Sequence, residues 1–164
     1  MTQETRRILV VDDEVAICQV IEDYLAIRPR RRAQLEAYVR AGRLLVGPWY
    51  VQNDFFLTSG EATIRNLLIG TRIAEELGRC GRVGYAPDQF GLIGQLPQIL
   101  NGFGIDTCVF GRGYSPDPAT QPIEFNWLAG GGSRVFALNL PCWYNNAQRF
   151  SADPGRAADF LRLI

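Results

Sequence analysis

The chain has 164 residues, a length that fits a single domain. Apolar residues make up 47% and charged residues 21%, which excludes a disordered chain and is typical of a globular one. The 17 acidic residues balance the 17 basic residues, so the charge does not indicate a nucleic-acid partner, and no apolar run is long enough to predict a membrane segment.

Two residue types are missing from the chain. It contains no histidine, which excludes imidazole metal ligands, imidazole general bases and every nucleophile that depends on histidine. All 17 basic residues are arginine, so Schiff-base chemistry and the lysine of a phosphate-binding loop are excluded as well. Any chemistry must therefore use carboxylates, arginines, tyrosines, amides or the backbone.

The cysteines are far apart in the sequence and form no C-x-x-C pair. Together with an N-terminus that does not look like a signal peptide, this spacing predicts free, buried thiols and a cytoplasmic protein. The four residues concerned are Cys18, Cys80, Cys108 and Cys142.

The first half of the chain alternates between predicted strands and helices. Apolar spacing and capping residues define each element. In chain order these are a strand over 7–11, a helix over 15–26, a helix from Pro29 to a C-terminal cap at Gly42, a strand over 44–51, and a helix that opens at the capping-box pair Thr58 and Glu61 and ends at Gly78.

The second half continues the alternation and adds a hairpin. It predicts a strand over 82–86, a short helix with Pro97 in its first turn, a strand over 106–110, a hairpin of 123–128 with 134–140 around three glycines, and a helix from Pro154. The whole pattern predicts an α/β fold with a mostly parallel sheet, whose sites lie where strands end. Those positions are Asp12 and Asp13, 87–91, 111–114 and 141–146.

Asp12 and Asp13 follow the first predicted strand, where an acidic pair can hold Mg²⁺. Residues 6–25 resemble the start of a response-regulator receiver domain, which uses such a pair for phosphoryl transfer. The resemblance then fails, because a receiver also needs a lysine, and Asp54 lacks the setting of a phosphate acceptor. The alternative for Asp12 and Asp13 is a solvated strand end that binds no ion. Because the lysine is missing, we expect the chain not to act as a phosphoacceptor.

Asp88 lies just beyond a predicted strand, between Pro87 and Gly91. These neighbours favour a tight loop that displays the carboxylate at the edge of the sheet. From the residues alone, Asp88 can be a nucleophile, a metal ligand or a helix cap.

The surrounding sequence resembles glycoside hydrolase family 38, the α-mannosidases. Its signature is similar to YAPDQFG at 85–91 followed by QLPQIL at 95–100, and the similarity extends in order over residues 20–160. The resemblance implies a partial β/α barrel of the family's N-terminal type, mostly parallel, in one incomplete domain over 1–164. Residues 1–25 then form the receiver-like start.

The resemblance also implies site residues, a zinc ion and an α-mannoside or oligosaccharide substrate in a retaining, two-carboxylate reaction. Asp88 matches the residue that is both zinc ligand and nucleophile, and Arg112 and Tyr144 match sugar-site residues. Asp54 falls in an acidic stretch near that site. A loop ion pair is the alternative for Arg112, with Asp106 or Asp117 as its partner, and ordinary packing is the alternative for Tyr144 and Trp143.

Several of the family's residues have no counterpart in this chain. Its first zinc ligands, a His and an Asp, belong upstream of Glu22, and its last zinc-binding His and its acid/base Asp belong beyond Ile164. We therefore expect the isolated chain to be an inactive fragment that does not bind zinc tightly. The alternatives are a signalling module that uses the receiver-like acidic pair and a catalytically dead carbohydrate-binding fragment.

Overall fold

The computed structural model describes residues 29–117, 120–140, 151 and 153–161. The predictions for the receiver-like start, including Asp12 and Asp13, fall outside these residues. So do those for Cys18, for Cys142 and for Trp143 and Tyr144.

Four helices and four strands make up this part of the chain. A 3₁₀ turn at Pro29–Arg31 leads into the first helix. The helices are α1 (Arg32–Arg40), α2 (Gly60–Glu76), α3 (Leu96–Gly102) and α4 (Pro154–Leu161), and the strands are β1 (Gly84–Ala86), β2 (Thr107–Phe110), β3 (Glu124–Leu128) and β4 (Arg134–Asn139). No helix in the described ranges has the length and apolar character needed to cross a bilayer.

The strands form one sheet in the order β1-β2-β4-β3. β1 pairs with β2 and β2 with β4 in parallel, whereas β3 and β4 form an antiparallel hairpin. The predicted mostly parallel α/β fold and the predicted hairpin are both confirmed. Ala86, Phe110 and Asn139 align in register, so the last residues of three parallel strands meet at one edge of the sheet.

The main core packs around Phe110, the last residue of β2, which is fully buried. Its ring contacts the rings of Tyr114, Phe125 and Trp127, with centroids 6.4, 6.1 and 6.0 Å away. Buried Leu96 and Leu100 of α3 belong to the same cluster. This packing anchors the end of β2 and therefore the residues that follow it.

A second, smaller cluster joins α1 to α2. It contains Val39, Val46, Ala74, Leu77 and Cys80. It fixes the chain between the two helices against the face of α2.

The predicted strand over 44–51 is wrong: the described backbone there is irregular. The N–H groups of Tyr50 and Val51 donate to the side-chain Oδ1 of Asn66 at 2.7 and 3.2 Å, so a helix side chain takes the place of a strand partner. Gly47 adds a left-handed backbone with φ of +78°. The apolar pattern of this segment reflects burial against α2 rather than pairing in the sheet.

The start of α2 lies one residue later than the capping-box spacing predicts. Ser59 is the cap, and its Oγ accepts a hydrogen bond from Ala62 N at 3.1 Å. Thr58 instead donates from Oγ1 to the main-chain oxygen of Asp54 at 3.0 Å. The predicted ends at Gly42 and Gly78 are confirmed, with left-handed φ values of +67° and +138°.

Gly70 lets α2 lie directly on the irregular segment. A Cβ at this position would lie 2.3–2.4 Å from Pro48 O, Trp49 C and Tyr50 N, all of them backbone atoms that cannot rotate away. We expect Gly70→Ala to lower the free energy of unfolding by about 1–3 kcal/mol, because it overpacks this contact. Urea denaturation measures the change.

Gly60→Ala is the matched control. Gly60 opens the same helix, and a Cβ there meets nothing within 4 Å. The control should be neutral or slightly stabilising, since alanine favours helix more than glycine does. Equal effects of the two substitutions would contradict the close contact at Gly70.

Candidate active site

The candidate site lies at the sheet edge where the parallel strands end. Asp88 follows β1 by two residues and Arg112 follows β2 by two residues, so the register of β1 with β2 brings them together. The Arg112 Nε–H donates to the Asp88 carboxylate Oδ1 and to the Asp88 main-chain oxygen, the latter at 3.1 Å. Arg112 therefore forms an ion pair with the predicted nucleophile.

The Asp88–Arg112 pair is partly open to solvent. The Asp88 side chain is 26% exposed and the Arg112 side chain 34% exposed. The Arg112 guanidinium also lies 4.4 Å from the centroid of the Phe90 ring, a cation–π contact. Arg112 is thus oriented by a carboxylate and an aromatic ring at once, and it in turn fixes the direction of the carboxylate.

Asp54 fastens the loop that carries Asp88. Its Oδ1 accepts a hydrogen bond from Phe90 N at 2.8 Å. A second backbone contact runs from Phe56 N to Phe90 O at 3.4 Å. The structure thus brings Asp54 next to the candidate site as a loop-positioning group, and a direct contact of Asp54 with substrate stays a prediction.

Asn66 positions the segment that carries Asp54. Besides accepting from the backbone of Tyr50 and Val51, it donates from Nδ2 to Val51 O at 2.7 Å and to Asn53 Oδ1 at 2.8 Å. The nearby Trp49 Nε1–H donates to Tyr85 O in β1 at 2.8 Å. The sequence does not single out Asn66, because its burial and its distant backbone partners are visible only in the structure.

Gly91 closes the loop after Asp88 and needs to be glycine for two reasons. Its φ is +78°, and a Cβ would lie 2.1 Å from Cγ of the Phe56 ring. The loop borders a cleft of about 540 Å³. The cleft lining includes Phe56, Phe90, Leu92, Arg112, Tyr114 and Ser115.

Two further amide side chains at this edge were not predicted. Asn139, the last residue of β4, is buried, and its Nδ2 lies 3.4 Å from Phe110 O and 3.5 Å from Gly111 O. It joins the end of β4 to the start of the segment that carries Arg112. Gln89, beside Asp88, is also buried, and neither polar atom of its side chain has a hydrogen-bond partner.

The described residues do not form a zinc site. The chain has no histidine, and no group of three or more Cys, Asp or Glu side chains comes together in the part that the structure describes. Asp88 has a guanidinium against its carboxylate. Cys80 and Cys108 are free, and burial raises the pKa of both thiols, that of Cys108 to about 12, which disfavours the thiolate form that metals bind.

Known proteins resemble this chain in both sequence and fold. The sequence profile of the glycosyl hydrolases family 38 N-terminal domain matches residues 15–162. The chain belongs to glycosyl hydrolase family 38. The fold agrees: an α-mannosidase from Enterococcus faecalis V583 superposes with a TM-score of 0.83 at 30% identity, covering 98% of this chain and 18% of that one.

Two curated relatives show how much of a family protein the chain represents. A putative mannosylglycerate hydrolase of Halalkalibacterium halodurans is 42% identical over 152 residues, which are 86% of this chain and 17% of the relative. Alpha-mannosidase G of Dictyostelium discoideum is 34% identical over 102 residues, 61% of this chain and 8% of the relative. The chain thus spans less than a fifth of the length of these proteins.

Asn66 provides a test of how the site is positioned. We expect Asn66→Ala to lower the free energy of unfolding by about 1–3 kcal/mol, because it removes the acceptor of the partly buried backbone N–H groups of Tyr50 and Val51. Hydrogen exchange should accelerate at those two amides by more than it does in the sheet.

Asn126→Ala, at an exposed position of β3, is the matched control, and it should leave stability and exchange nearly unchanged. Unaltered exchange at Tyr50 and Val51 in Asn66→Ala would show that Asn66 does not hold this segment.

Proposed function

We propose that this chain is the segment of a family 38 α-mannosidase that supplies its nucleophile, Asp88. The observation that carries the proposal is a carboxylate at the carboxyl edge of a parallel sheet, oriented by Arg112, which also lines an open cleft. Relatives whose names say α-mannosidase and mannosylglycerate hydrolase support an α-mannoside substrate. The activity belongs to a protein longer than this segment.

In this proposal Asp88 attacks the anomeric carbon of the bound α-mannoside. A bond forms between a carboxylate oxygen and that carbon, and the bond to the leaving-group oxygen breaks. A second carboxyl group, which we assign to a part of the enzyme outside this chain, protonates the leaving oxygen and then activates the water that releases mannose. Retention of configuration follows from the two displacements.

Arg112 has two roles in this scheme. Its Nε–H fixes one oxygen of Asp88, which limits the orientations of the carboxylate before attack. Arg112 also lines the cleft, so its guanidinium N–H groups can donate to the hydroxyl oxygens of a bound sugar. Because the guanidinium rests on Phe90, it can hold this position without the sugar.

Zinc is part of the proposal only for the intact enzyme. The family resemblance implies zinc, and the described residues do not assemble ligands for it. We therefore propose that this chain alone binds zinc weakly, and the roles of Asp88 and Arg112 derived above do not depend on the ion.

A catalytically dead carbohydrate-binding fragment is the second candidate. It is favoured by the pairing of an arginine, an exposed aromatic ring and a cleft in a segment that spans less than a fifth of its relatives. The two candidates share sugar binding and differ in turnover, so a kinetic comparison separates them.

We also propose a cytoplasmic setting. Support comes from the thiols at Cys80 and Cys108, which are buried and unpaired as the spacing of the cysteines predicts.

The test of the proposed function replaces Asp88. In a longer protein that contains this segment, Asp88→Asn should lower kcat for an aryl α-mannoside by about 10³-fold or more, because the amide cannot form the glycosyl–enzyme bond. Asp106→Asn is the control, since Asp106 is exposed and precedes β2 at the opposite end of the strand from Arg112. Full activity of Asp88→Asn would contradict the assignment.

The same assay on the 164-residue chain separates a fragment from a complete enzyme. We expect no measurable turnover with or without added Zn²⁺, and no saturable zinc binding in the micromolar range by calorimetry. Turnover that depends on Asp88 would show that the chain is catalytically complete.

A further inference from the structure

A second amide side chain, that of Asn53, lies between Asn66 and the residues that hold the Asp88 loop. Its Oδ1 accepts a hydrogen bond from Asn66 Nδ2 at 2.8 Å. Its own Nδ2 donates to Thr58 Oγ1 at 2.7 Å and to Thr63 Oγ1 at 3.3 Å. Asn53 is half-buried and Thr63 is fully buried, so water competes little for these bonds.

The two threonines determine which way the Asn53 amide faces. The Thr58 hydroxyl donates its only proton to Asp54 O at 3.0 Å. The Thr63 hydroxyl donates its only proton to Ser59 O at 3.2 Å. Each hydroxyl can therefore only accept a hydrogen bond from Asn53, and both amide protons of Asn53 are in use. An aspartate at this position has the same shape but offers acceptors alone, so it does not fit the network.

Through Thr58, Asn53 holds the turn that begins at Asp54. The main-chain oxygen of Asp54 also accepts hydrogen bonds from two backbone N–H groups of this turn, at 3.1 and 3.2 Å, so three donors converge on it. The carboxylate of the same residue accepts from Phe90 N, two residues after Asp88. A displacement of the turn therefore moves the group that holds the loop of the proposed nucleophile.

We propose that Asn53 is a positioning residue for Asp88. It fixes the turn at Asp54, and the Asp54 carboxylate in turn fixes the loop that carries Asp88. This inference rests on the proposed function, because a positioning residue affects the rate only if Asp88 reacts. Asn53 is not among the residues that line the cleft, so its replacement should lower kcat more than it raises KM.

The test replaces Asn53 by aspartate, which removes the two donors and keeps the shape. In a longer protein that contains this segment, Asn53→Asp should lower kcat for an aryl α-mannoside about 10- to 100-fold and change KM by less than about threefold. In the 164-residue chain, hydrogen exchange at the Phe90 amide should accelerate about tenfold, because Asp54 holds it less firmly. The exchange measurement does not depend on turnover.

A double-mutant cycle shows whether Asn53 acts through Asp54. Asp54→Ala removes the acceptor of Phe90 N and should itself lower kcat. In the Asp54→Ala background, Asn53→Asp should lower kcat by less than about a further twofold, because the group through which it acts is already missing. Losses that multiply would show that the two residues act independently, and they would overturn the proposal.

Thr58→Val tests the same connection without placing a charge in the network. It keeps the shape of the side chain and removes the hydroxyl that joins Asn53 to Asp54 O, so it should lower kcat as Asn53→Asp does. Thr58→Ser keeps a hydroxyl and should retain kcat. Equal kcat values for the valine and serine variants would overturn the proposal, also in the case that Asn53→Asp does not fold.

Asn101→Asp is the matched control for a loss of stability. Asn101 Nδ2 also donates two hydrogen bonds, to Ile105 O at 3.1 Å and to Arg134 O at 3.0 Å. Arg134 opens β4, at the end of the sheet away from Asp88. The variant should lower the thermal stability and leave kcat unchanged. A loss of kcat equal to that of Asn53→Asp would show that destabilisation alone accounts for the effect, and it would overturn the proposal.

The outcomes separate this inference from the proposed function. An unchanged kcat in Asn53→Asp would overturn the positioning role and leave the assignment of Asp88 standing. Absence of turnover from the unmodified longer protein would contradict the proposed function, and this inference with it.

Discussion

The parallel register of β1, β2 and β4 is the constraint on which the candidate site depends. Each strand ends at the same edge, so residues separated by more than 20 positions in sequence meet there. Asp88 and Arg112 each follow their strand by two residues, which is why a carboxylate and a guanidinium come into contact. The packing of Phe110 against three aromatic rings fixes the end of β2, which leads directly to Arg112.

A continuous set of contacts connects α2 to the loop after β1 and fixes the position of that loop. Gly70 allows the helix to lie on the backbone of 48–50. The Asn66 side chain accepts hydrogen bonds from backbone N–H groups that would otherwise pair with a neighbouring strand. The same irregular segment continues to Asp54, which binds Phe90 N in the loop that carries Asp88. Asn66 in α2 thus helps to position the loop that carries the proposed nucleophile, although it does not contact that loop itself.

Much of this arrangement could be predicted from the sequence, because it depends on local patterns and on the rule that sites lie where parallel strands end. The hairpin around three glycines and the position of Asp88 follow from such signals. The prediction of a strand over 44–51 was wrong because Asn66, some 15 residues away, accepts hydrogen bonds from backbone N–H groups of this segment. No local sequence pattern reveals a partner at that distance. Thr58 and Ser59 both belong to residue types that cap helices, and the backbone geometry shows that Ser59 is the cap.

Covalent trapping tests the central claim most directly. A fluorinated α-mannosyl fluoride, which forms the glycosyl–enzyme and releases it slowly, is added to a longer protein that contains this segment, and the labelled peptide is sequenced by mass spectrometry. The account predicts a label on Asp88, with none on the Asp88→Asn variant. A label on Asp54 or on any other carboxylate would contradict it.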